Sequence, residues 1–191
     1  MPVMNYIRLL RPEQWLKNLF VFLPIFFGKY LFELACFVPT LVTFVAFSFA
    51  AGSIYCFNDI VDVEKDKQHP KKAARPIANG SVSVRSAYLV MLIALCLSVS
   101  TSLAFGGETK YKVLLVIGLY YILNIFYTTI LKHRAIIDVF IIALGFVLRI
   151  LAGGVSTETV LSHWIILMTF LLALFLAFAK RRDDIIISED E

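Results

Sequence analysis

The stretch that decides the fold is residues 37–66, which read FVPTLVTFVAFSFAAGSIYCFNDIVDVEKD. Residues 37–57 carry no charged side chain, and a helix of about 20 mostly apolar residues is long enough to cross a bilayer. Asn58 follows at once, with carboxylates at Asp59, Asp62 and Asp66. The pattern predicts a membrane helix that ends in a concentrated polar site at one membrane surface.

The composition of the whole 191-residue chain agrees with this prediction, since 60% of the residues are hydrophobic, 17% are charged and the mean hydropathy is +0.82. Soluble domains are about 45–50% apolar and about 25% charged. We predict an all-α integral membrane protein with one transmembrane domain over residues 1–191, in which about six helices surround a polar cavity at the cytoplasmic side. The predicted spans are about 18–34, 37–57, 86–107, 113–131, 138–157 and 162–179, with cytoplasmic site loops at about 58–85 and 132–138.

The distribution of positive charge predicts the orientation of these spans. Of the 18 Lys and Arg residues, 14 fall in the N-terminal segment, the two site loops and the C-terminal tail, and three fall in the loops on the opposite side. Cytoplasmic loops carry such an excess, so we expect both termini in the cytoplasm. The net charge of +4 is then a topology signal, and we expect no nucleic-acid partner.

The polar side chains after residue 57 share one helix face. At about 100° per residue, Tyr55, Asp59, Asp62 and Asp66 all lie within about 100° of Asn58 if the helix continues. Carboxylates this close repel one another, and a divalent cation relieves the repulsion; Mg²⁺ keeps several waters and bridges one or two carboxylates to substrate phosphates. The alternative is a juxtamembrane charge cluster that merely ends the helix.

The residues after the acidic cluster favour the metal interpretation. Lys71, Lys72 and Arg75 supply three cations, and Pro70 and Pro76 stiffen the loop that carries them. Carboxylates for a metal followed by Lys and Arg for phosphate oxygens outline a diphosphate site.

A second polar cluster involves Asp138 and Arg149. Eleven residues make three turns plus about 20°, so the two side chains share a face about 16 Å apart. An arginine inside the bilayer indicates a functional site by default, and an anionic ligand is favoured because no other acid lies within a predicted span; a buried carboxylate or backbone carbonyls are the alternative. Lys17 and residues 180–182 by themselves suit interfacial anchors.

The motif Asn58-Asp59-x-x-Asp62-x-x-x-Asp66 resembles the first Asp-rich motif of the UbiA-type membrane prenyltransferase superfamily. Further similar stretches are residues 8–18, the whole of 58–80, residues 131–139, residues 145–153 and residues 180–181. Within the superfamily the chain is most similar to the branch that transfers phosphoribose to a polyprenyl phosphate.

This resemblance implies a Mg²⁺-dependent transferase of a bacterial-type inner membrane, whose substrates are phosphoribosyl diphosphate and a polyprenyl phosphate lipid and whose product serves cell-envelope sugar-lipid synthesis. It implies that Asn58 and Asp62 hold Mg²⁺, and that the catalytic carboxylates are Asp62, Asp66 and Asp138. We expect Asp66 and Asp138 to orient groups rather than accept a proton, because the lipid phosphate is already an anionic nucleophile. The phosphate ligands that the resemblance implies are Lys17, Tyr55, Lys72, Arg75, Lys132 and Arg149.

Two departures from the superfamily pattern bear on this interpretation. Ile142 stands four residues after Asp138, where superfamily members that use prenyl diphosphates carry the second acid of a D-x-x-x-D motif, and this favours the phosphoribosyl branch. The alternatives are a prenyl transferase that acts on an aromatic acceptor and a non-catalytic lipid-binding protein. The superfamily implies about nine helices, so we also expect a C-terminally short chain, whose bundle is completed by a second chain or oligomer or stays open on its lipid side.

Overall fold

The computed structural model describes residues 2–131 and 135–189, which are almost entirely helical. Two 3-10 helices, at Pro12–Phe22 and Lys72–Ala74, interrupt the series of α-helices. The α-helices are α1 (Pro2–Leu9), α2 (Leu23–Phe27), α3 (Leu34–Val61), α4 (Val63–Gln68), α5 (Val84–Ser102), α6 (Thr109–Thr129), α7 (Ala135–Ser156) and α8 (His163–Glu189).

Five of these helices, α3 and α5 to α8, are long and apolar enough to cross a membrane. The all-α membrane fold expected from the sequence is therefore confirmed. The helices α3 and α7 are the most buried of the five, whereas α5 and α8 are the least. Since α3 packs against α5, α6 and α7, and α7 against α6 and α8, these two helices form the centre of the bundle.

Residues 18–34 do not form the single membrane-spanning helix that the sequence predicts there. This segment contains the end of the 3-10 helix Pro12–Phe22 and the short helix α2, and it closes at Lys29, whose φ is 65°. Pro24 has no N–H to continue an α-helical ladder from the preceding turn and its ring would clash there. At rises of about 2.0 and 1.5 Å per residue, the stretch from Pro12 to Phe27 is nevertheless roughly 30 Å long, which matches the hydrocarbon core.

The 3-10 helix lies against α3 and α7 at very short range. Asn18 is fully buried there, and its Nδ2 donates to Ser48 Oγ on α3 at 2.9 Å. A Cβ at Gly153 of α7 would lie 1.9 Å from the carbonyl oxygen of Val21. Only a glycine leaves room for this backbone approach, so Gly153 fixes how close the 3-10 helix sits to the bundle.

Two apolar clusters position the polar end of the bundle. The first joins α3, α6 and α7 through small and aromatic residues, among them Ala50, Phe47 and Tyr120; small residues let membrane helices approach closely. The second joins the N-terminal segment, the end of α3 and the loop before α5, and its members are Leu9, Cys56, Ile60, Ile77, Val82 and Ala87. This second cluster holds the loop after α4 against the bundle.

Candidate functional site

A polar cavity of about 460 Å³ opens where the acidic end of α3 and α4 faces the ends of α6, α7 and α8. We call it the polar cavity. Its walls carry both signs of charge, which suits a ligand with several phosphate oxygens and a cation. The lining residues are Arg11, Asn58, Asp62, Lys65, Asp66, His69, Lys72, Arg75, Tyr127, Thr128, Asp138 and Arg181.

The α-helical geometry that the sequence predicts continues, with one interruption, across the acidic cluster. Helix α3 ends at Val61 and α4 begins at Val63, but the amide of Asp62 donates to Asn58 O at 2.9 Å and the amide of Asp66 donates to Asp62 O at 2.8 Å. Both bonds are of the α-helical kind, so Asn58, Asp62 and Asp66 stay one turn apart along one face. Thr128 Oγ1 of α6 donates to Asn58 Oδ1 and fixes the amide oxygen.

Asp59 and Asp66 are buried carboxylates held by arginines. Asp59 Oδ1 accepts from Arg11 Nη2 at 2.5 Å and from Arg75 Nη1 at 3.2 Å. The same Arg75 Nη1 donates to Asp66 Oδ2 at 2.6 Å. We call these four residues the Arg–Asp chain. Alternating charges satisfy the two buried carboxylates, which would otherwise be costly to remove from water.

Asp138 faces this group from α7. It is 8% exposed, and its Oδ2 accepts a hydrogen bond from Arg181 Nη1 of α8. Its other oxygen, Oδ1, is buried and has no hydrogen-bond partner among the described residues. A buried oxygen without a donor is unusual in a folded protein, so Asp138 retains acceptor capacity at the rim of the polar cavity.

A second cavity of about 740 Å³ adjoins the polar cavity between α7 and α8. The two share Lys72, Tyr127, Asp138 and Arg181. Lys17 and Lys180 add two more cations, while the remaining walls are apolar: Ile142, Phe146, Ala173, Leu176 and Ala177. We call it the amphipathic cavity, because cations line one part and hydrocarbon side chains line the rest.

Arg149 lies deeper in the bundle and is 5% exposed. Its Nε donates to Asn18 Oδ1 at 2.8 Å, its Nη1 to Gly145 O at 2.8 Å and its Nη2 to the Tyr120 hydroxyl at 3.4 Å. The guanidinium also lies 5.0 Å from the ring centroids of Phe47 and Tyr120. Neutral acceptors and aromatic faces therefore surround this cation, which ties the 3-10 helix to α7 and α6.

Most of the site residues expected from the sequence are brought together. Asn58, Asp62, Asp66, Lys72, Arg75 and Asp138 all line the polar cavity, and Lys17 lines the adjoining one. Tyr55 and Arg149 are not among the residues that line these two cavities; the Tyr55 ring instead lies 5.2 Å below the Arg11 guanidinium. Lys132 falls outside the described residues. The roles of all these residues stay predictions.

Six residues of the polar cavity wall are not among the site residues expected from the sequence: Arg11, Lys65, His69, Tyr127, Thr128 and Arg181. Arg11 and Arg181 were visible only as basic residues near span ends, where topology alone explains a positive charge. Thr128 carried no signal, because its bond to Asn58 joins residues 70 positions apart. Asn58 and Asp59 are adjacent in the sequence, and adjacent residues of a helix point in directions about 100° apart. This spacing was the one signal that Asn58 would face α6 while Asp59 faces the N-terminal segment.

The oxygen ligands at the cavity fit Mg²⁺ bound together with a phosphate substrate. No three His, Cys, Asp or Glu side chains within residues 2–131 and 135–189 come close enough to hold a metal by themselves. Asn58 and Asp62 offer an amide and a carboxylate oxygen one turn apart, and Mg²⁺ typically uses one or two protein oxygens with waters and substrate phosphates. Asp66 is engaged by Arg75.

Comparison with known proteins relates this geometry to a family. Residues 21–187 match the model of the UbiA prenyltransferase family. The chain is 37% identical to a decaprenyl-phosphate phosphoribosyltransferase of Corynebacterium glutamicum over 96% of this chain and 55% of that protein. A protein of the same name from Mycolicibacterium smegmatis is 36% identical over 98% of this chain and 59% of its own length.

Solved structures agree with the fold. A UbiA homolog from Archaeoglobus fulgidus, bound to DMAPP and Mg²⁺, superposes with a TM-score of 0.71 at 27% identity, over 89% of this chain and 60% of that one. The chain thus spans little more than half the length of the curated and structural relatives that it matches.

Proposed function

Because the chain belongs to the UbiA prenyltransferase family, we propose that it transfers 5-phosphoribose from phosphoribosyl diphosphate to a polyprenyl phosphate in the membrane. The relatives named decaprenyl-phosphate phosphoribosyltransferase support the substrate class. The observation that carries the proposal is the pair of joined cavities, one polar and one amphipathic, which meet at Lys72, Tyr127, Asp138 and Arg181. A water-soluble diphosphate and a lipid phosphate need two such compartments with a common boundary.

The diphosphate of the donor would occupy the polar cavity. Lys72 and Arg75 are its phosphate-binding cations there, and the guanidinium of Arg75 suits paired phosphate oxygens. Asn58 and Asp62 would hold Mg²⁺, which when bound neutralises charge on the diphosphate and so favours its departure. The archaeal structure with Mg²⁺ supports the metal assignment.

The phosphate of the lipid acceptor would lie in the amphipathic cavity, near Lys17, Lys180 and Arg181. Its hydrocarbon chain would follow the apolar walls formed by Phe146 and Leu176, which lead between α7 and α8 toward the lipid. Burial of that chain would stabilise binding through the hydrophobic effect. The shared wall at Asp138 then keeps the two phosphate groups adjacent without merging them.

The transfer itself exchanges one C–O bond for another. The bond between the anomeric carbon of ribose and the diphosphate breaks with its electron pair on the leaving oxygen, and an oxygen of the lipid phosphate forms the new bond to that carbon. The cations of the polar cavity stabilise the charge that develops on the leaving group. The nucleophile is already an anion, so Asp66 and Asp138 orient neighbouring groups and need not take a proton.

The alternative with structural support is a prenyl transferase, because the archaeal homolog binds DMAPP. Against it, Ile142 presents an apolar side chain to the amphipathic cavity one turn after Asp138, so the second carboxylate that a prenyl diphosphate site typically adds is replaced by hydrocarbon. A non-catalytic lipid-binding role would leave the polar cavity without a purpose.

The setting of the reaction is part of the proposal. We place the chain in a bacterial-type inner membrane with both termini in the cytoplasm, since Lys and Arg are concentrated in the loops predicted to be cytoplasmic, and we assign the product to cell-envelope sugar-lipid synthesis. The exposed apolar faces of α5 and α8 leave room for a second chain or a further copy that completes the bundle.

A substrate matrix tests the proposal. Membranes that contain the chain would receive labelled phosphoribosyl diphosphate or labelled prenyl diphosphate, each with polyprenyl phosphate or an aromatic acceptor, with and without Mg²⁺. We expect label in the lipid phase only for the phosphoribosyl donor with the lipid phosphate and Mg²⁺. Transfer from the prenyl donor would support the alternative enzyme, and no transfer in any combination would support the lipid-binding role.

A further inference from the structure

We propose that Arg11 and Asp59 are positioning residues, which hold Arg75 and Asp66 in place at the wall of the polar cavity. The proposal rests on the proposed function, and it concerns two residues that neither bind the metal nor react. Arg11 comes from the N-terminal segment and Asp59 from α3. Together they form one half of the Arg–Asp chain, and Arg75 and Asp66 form the other.

The first observation is the depth and sharing of Asp59. It is 2% exposed, and one of its carboxylate oxygens, Oδ1, accepts from two different arginines. Arg75 Nη1 in turn bridges Asp59 and Asp66, at 3.2 and 2.6 Å. The position of Arg75 therefore depends on Asp59 as directly as on Asp66, and Asp59 depends on Arg11.

The second observation is the backbone at Arg11. Its φ of 48° and ψ of 63° place it in the left-handed region. Residues other than glycine, Asn and Asp adopt this conformation at a cost in free energy, so the surrounding structure must hold Arg11 in it. Leu10 packs against the Cα of Gly52, where a Cβ would lie 3.1 Å from Leu10 Cδ2, and Trp15 Nε1 donates to Leu10 O at 3.1 Å. The turn is thus clamped so that Arg11 points at Asp59.

As a consequence, the side chain of Arg75 is preorganised at the site proposed for the donor diphosphate. A guanidinium carries five N–H donors, and the hydrogen bonds to Asp59 and Asp66 are made by Nη1 of Arg75. Because the side chain is already ordered, binding of a phosphate costs little further side-chain entropy. Supporting residues improve a binding site in this way. Asp66, fixed by the same bond, stays beside Asp62 without swinging toward the metal position.

The competing explanation is that the Arg–Asp chain only stabilises the fold. Two variants separate these roles: Asp59→Asn, which keeps the shape and removes the charge, and Arg11→Met, a milder change at a half-buried residue that protects the test if the first variant folds poorly. The double variant completes a mutant cycle. If the two residues act through one network, the effects of the two substitutions are not additive. Arg85→Met and Glu64→Gln are matched controls, since both residues are exposed and neither lines the polar cavity.

The full chain would be studied in lipid nanodiscs by backbone hydrogen exchange and by transfer kinetics. We expect each single variant to raise exchange over residues 72–82 by about tenfold and to lower kcat by about tenfold or more, with the KM for polyprenyl phosphate little changed. The double variant should be no worse than Asp59→Asn, and the controls should match the parent protein.

Two results would overturn the inference: unchanged exchange over residues 72–82 in Asp59→Asn, or a folded variant whose kcat equals that of the parent. A parent protein that transfers nothing would contradict the proposed function instead, and the exchange data together with the mutant cycle on stability would still decide whether Arg11 and Asp59 hold Arg75.

Discussion

At the scale of single residues, Asp62 is the carboxylate on which the proposed metal chemistry depends. It lies at the junction of α3 and α4, lines the polar cavity and is one turn from Asn58. We expect Asp62→Ala to lower Mg²⁺-dependent transfer by about a hundredfold or more, because a lost metal ligand removes stabilisation of the leaving charge.

The measurement for Asp62→Ala is the rate of label transfer at several Mg²⁺ concentrations, normalised to protein inserted in the membrane. Glu64→Gln is the control, since Glu64 pairs with Lys67 on the exposed side of α4. Full activity of Asp62→Ala would contradict the metal assignment.

Substitution of Arg149 tests whether its guanidinium binds a phosphate or only stabilises the fold. Its contacts with Asn18, Gly145 and Tyr120 are all neutral, so its removal would leave the buried oxygen of Asn18 without its donor. We expect Arg149→Met to destabilise the protein by about 2–3 kcal/mol, which denaturant unfolding in detergent would measure. A variant of unchanged stability with a raised KM for phosphoribosyl diphosphate would instead favour the phosphate role.

At the scale of elements, α7 and α8 meet through Asp138 and Arg181 at the boundary of the two cavities. We expect Arg181→Gln to raise the KM for polyprenyl phosphate by about tenfold, since a charged hydrogen bond to a phosphate is worth about 1.5–3 kcal/mol. Initial rates at varied lipid concentration measure this effect. The adjacent Arg182 is exposed and lines neither cavity, so Arg182→Gln should behave like the parent; equal KM values for both variants would refute the assignment.

The packing of the 3-10 helix gives a second test at this scale. Gly153→Ala would place a methyl group against the carbonyl of Val21, and we expect a loss of about 1–3 kcal/mol in the free energy of unfolding from the resulting overpacking. Gly118→Ala on α6 meets nothing within 4 Å and should be neutral or slightly stabilising, because alanine is the better helix former. Similar stabilities for the two variants would show that the close approach is not there.

The spans and the acidic face could be predicted because both follow from local pattern. Apolar runs of about 20 residues define α3 and α5 to α8, and the helical period places Asn58, Asp62 and Asp66 together. The 3-10 helix could not be predicted, since its shape depends on the room left by Gly153. The pairing of Asp59 with Arg11 and that of Arg149 with Asn18 could not either, because the partners lie 48 and 131 positions apart in the chain.

At the scale of the whole molecule, the proposed function rests on the two joined cavities, one polar and one amphipathic. The chain covers 55–59% of the length of the named relatives, and its residues line both cavities.

The phosphoribosyl transfer is best tested by mass spectrometry of the lipid. The purified chain, in nanodiscs with polyprenyl phosphate, is incubated with phosphoribosyl diphosphate and Mg²⁺ before the lipid is recovered. We expect a lipid heavier by one phosphoribosyl group, with one diphosphate released per lipid converted and no product when Mg²⁺ is chelated. An unchanged lipid, or conversion at the same rate without Mg²⁺, would contradict it.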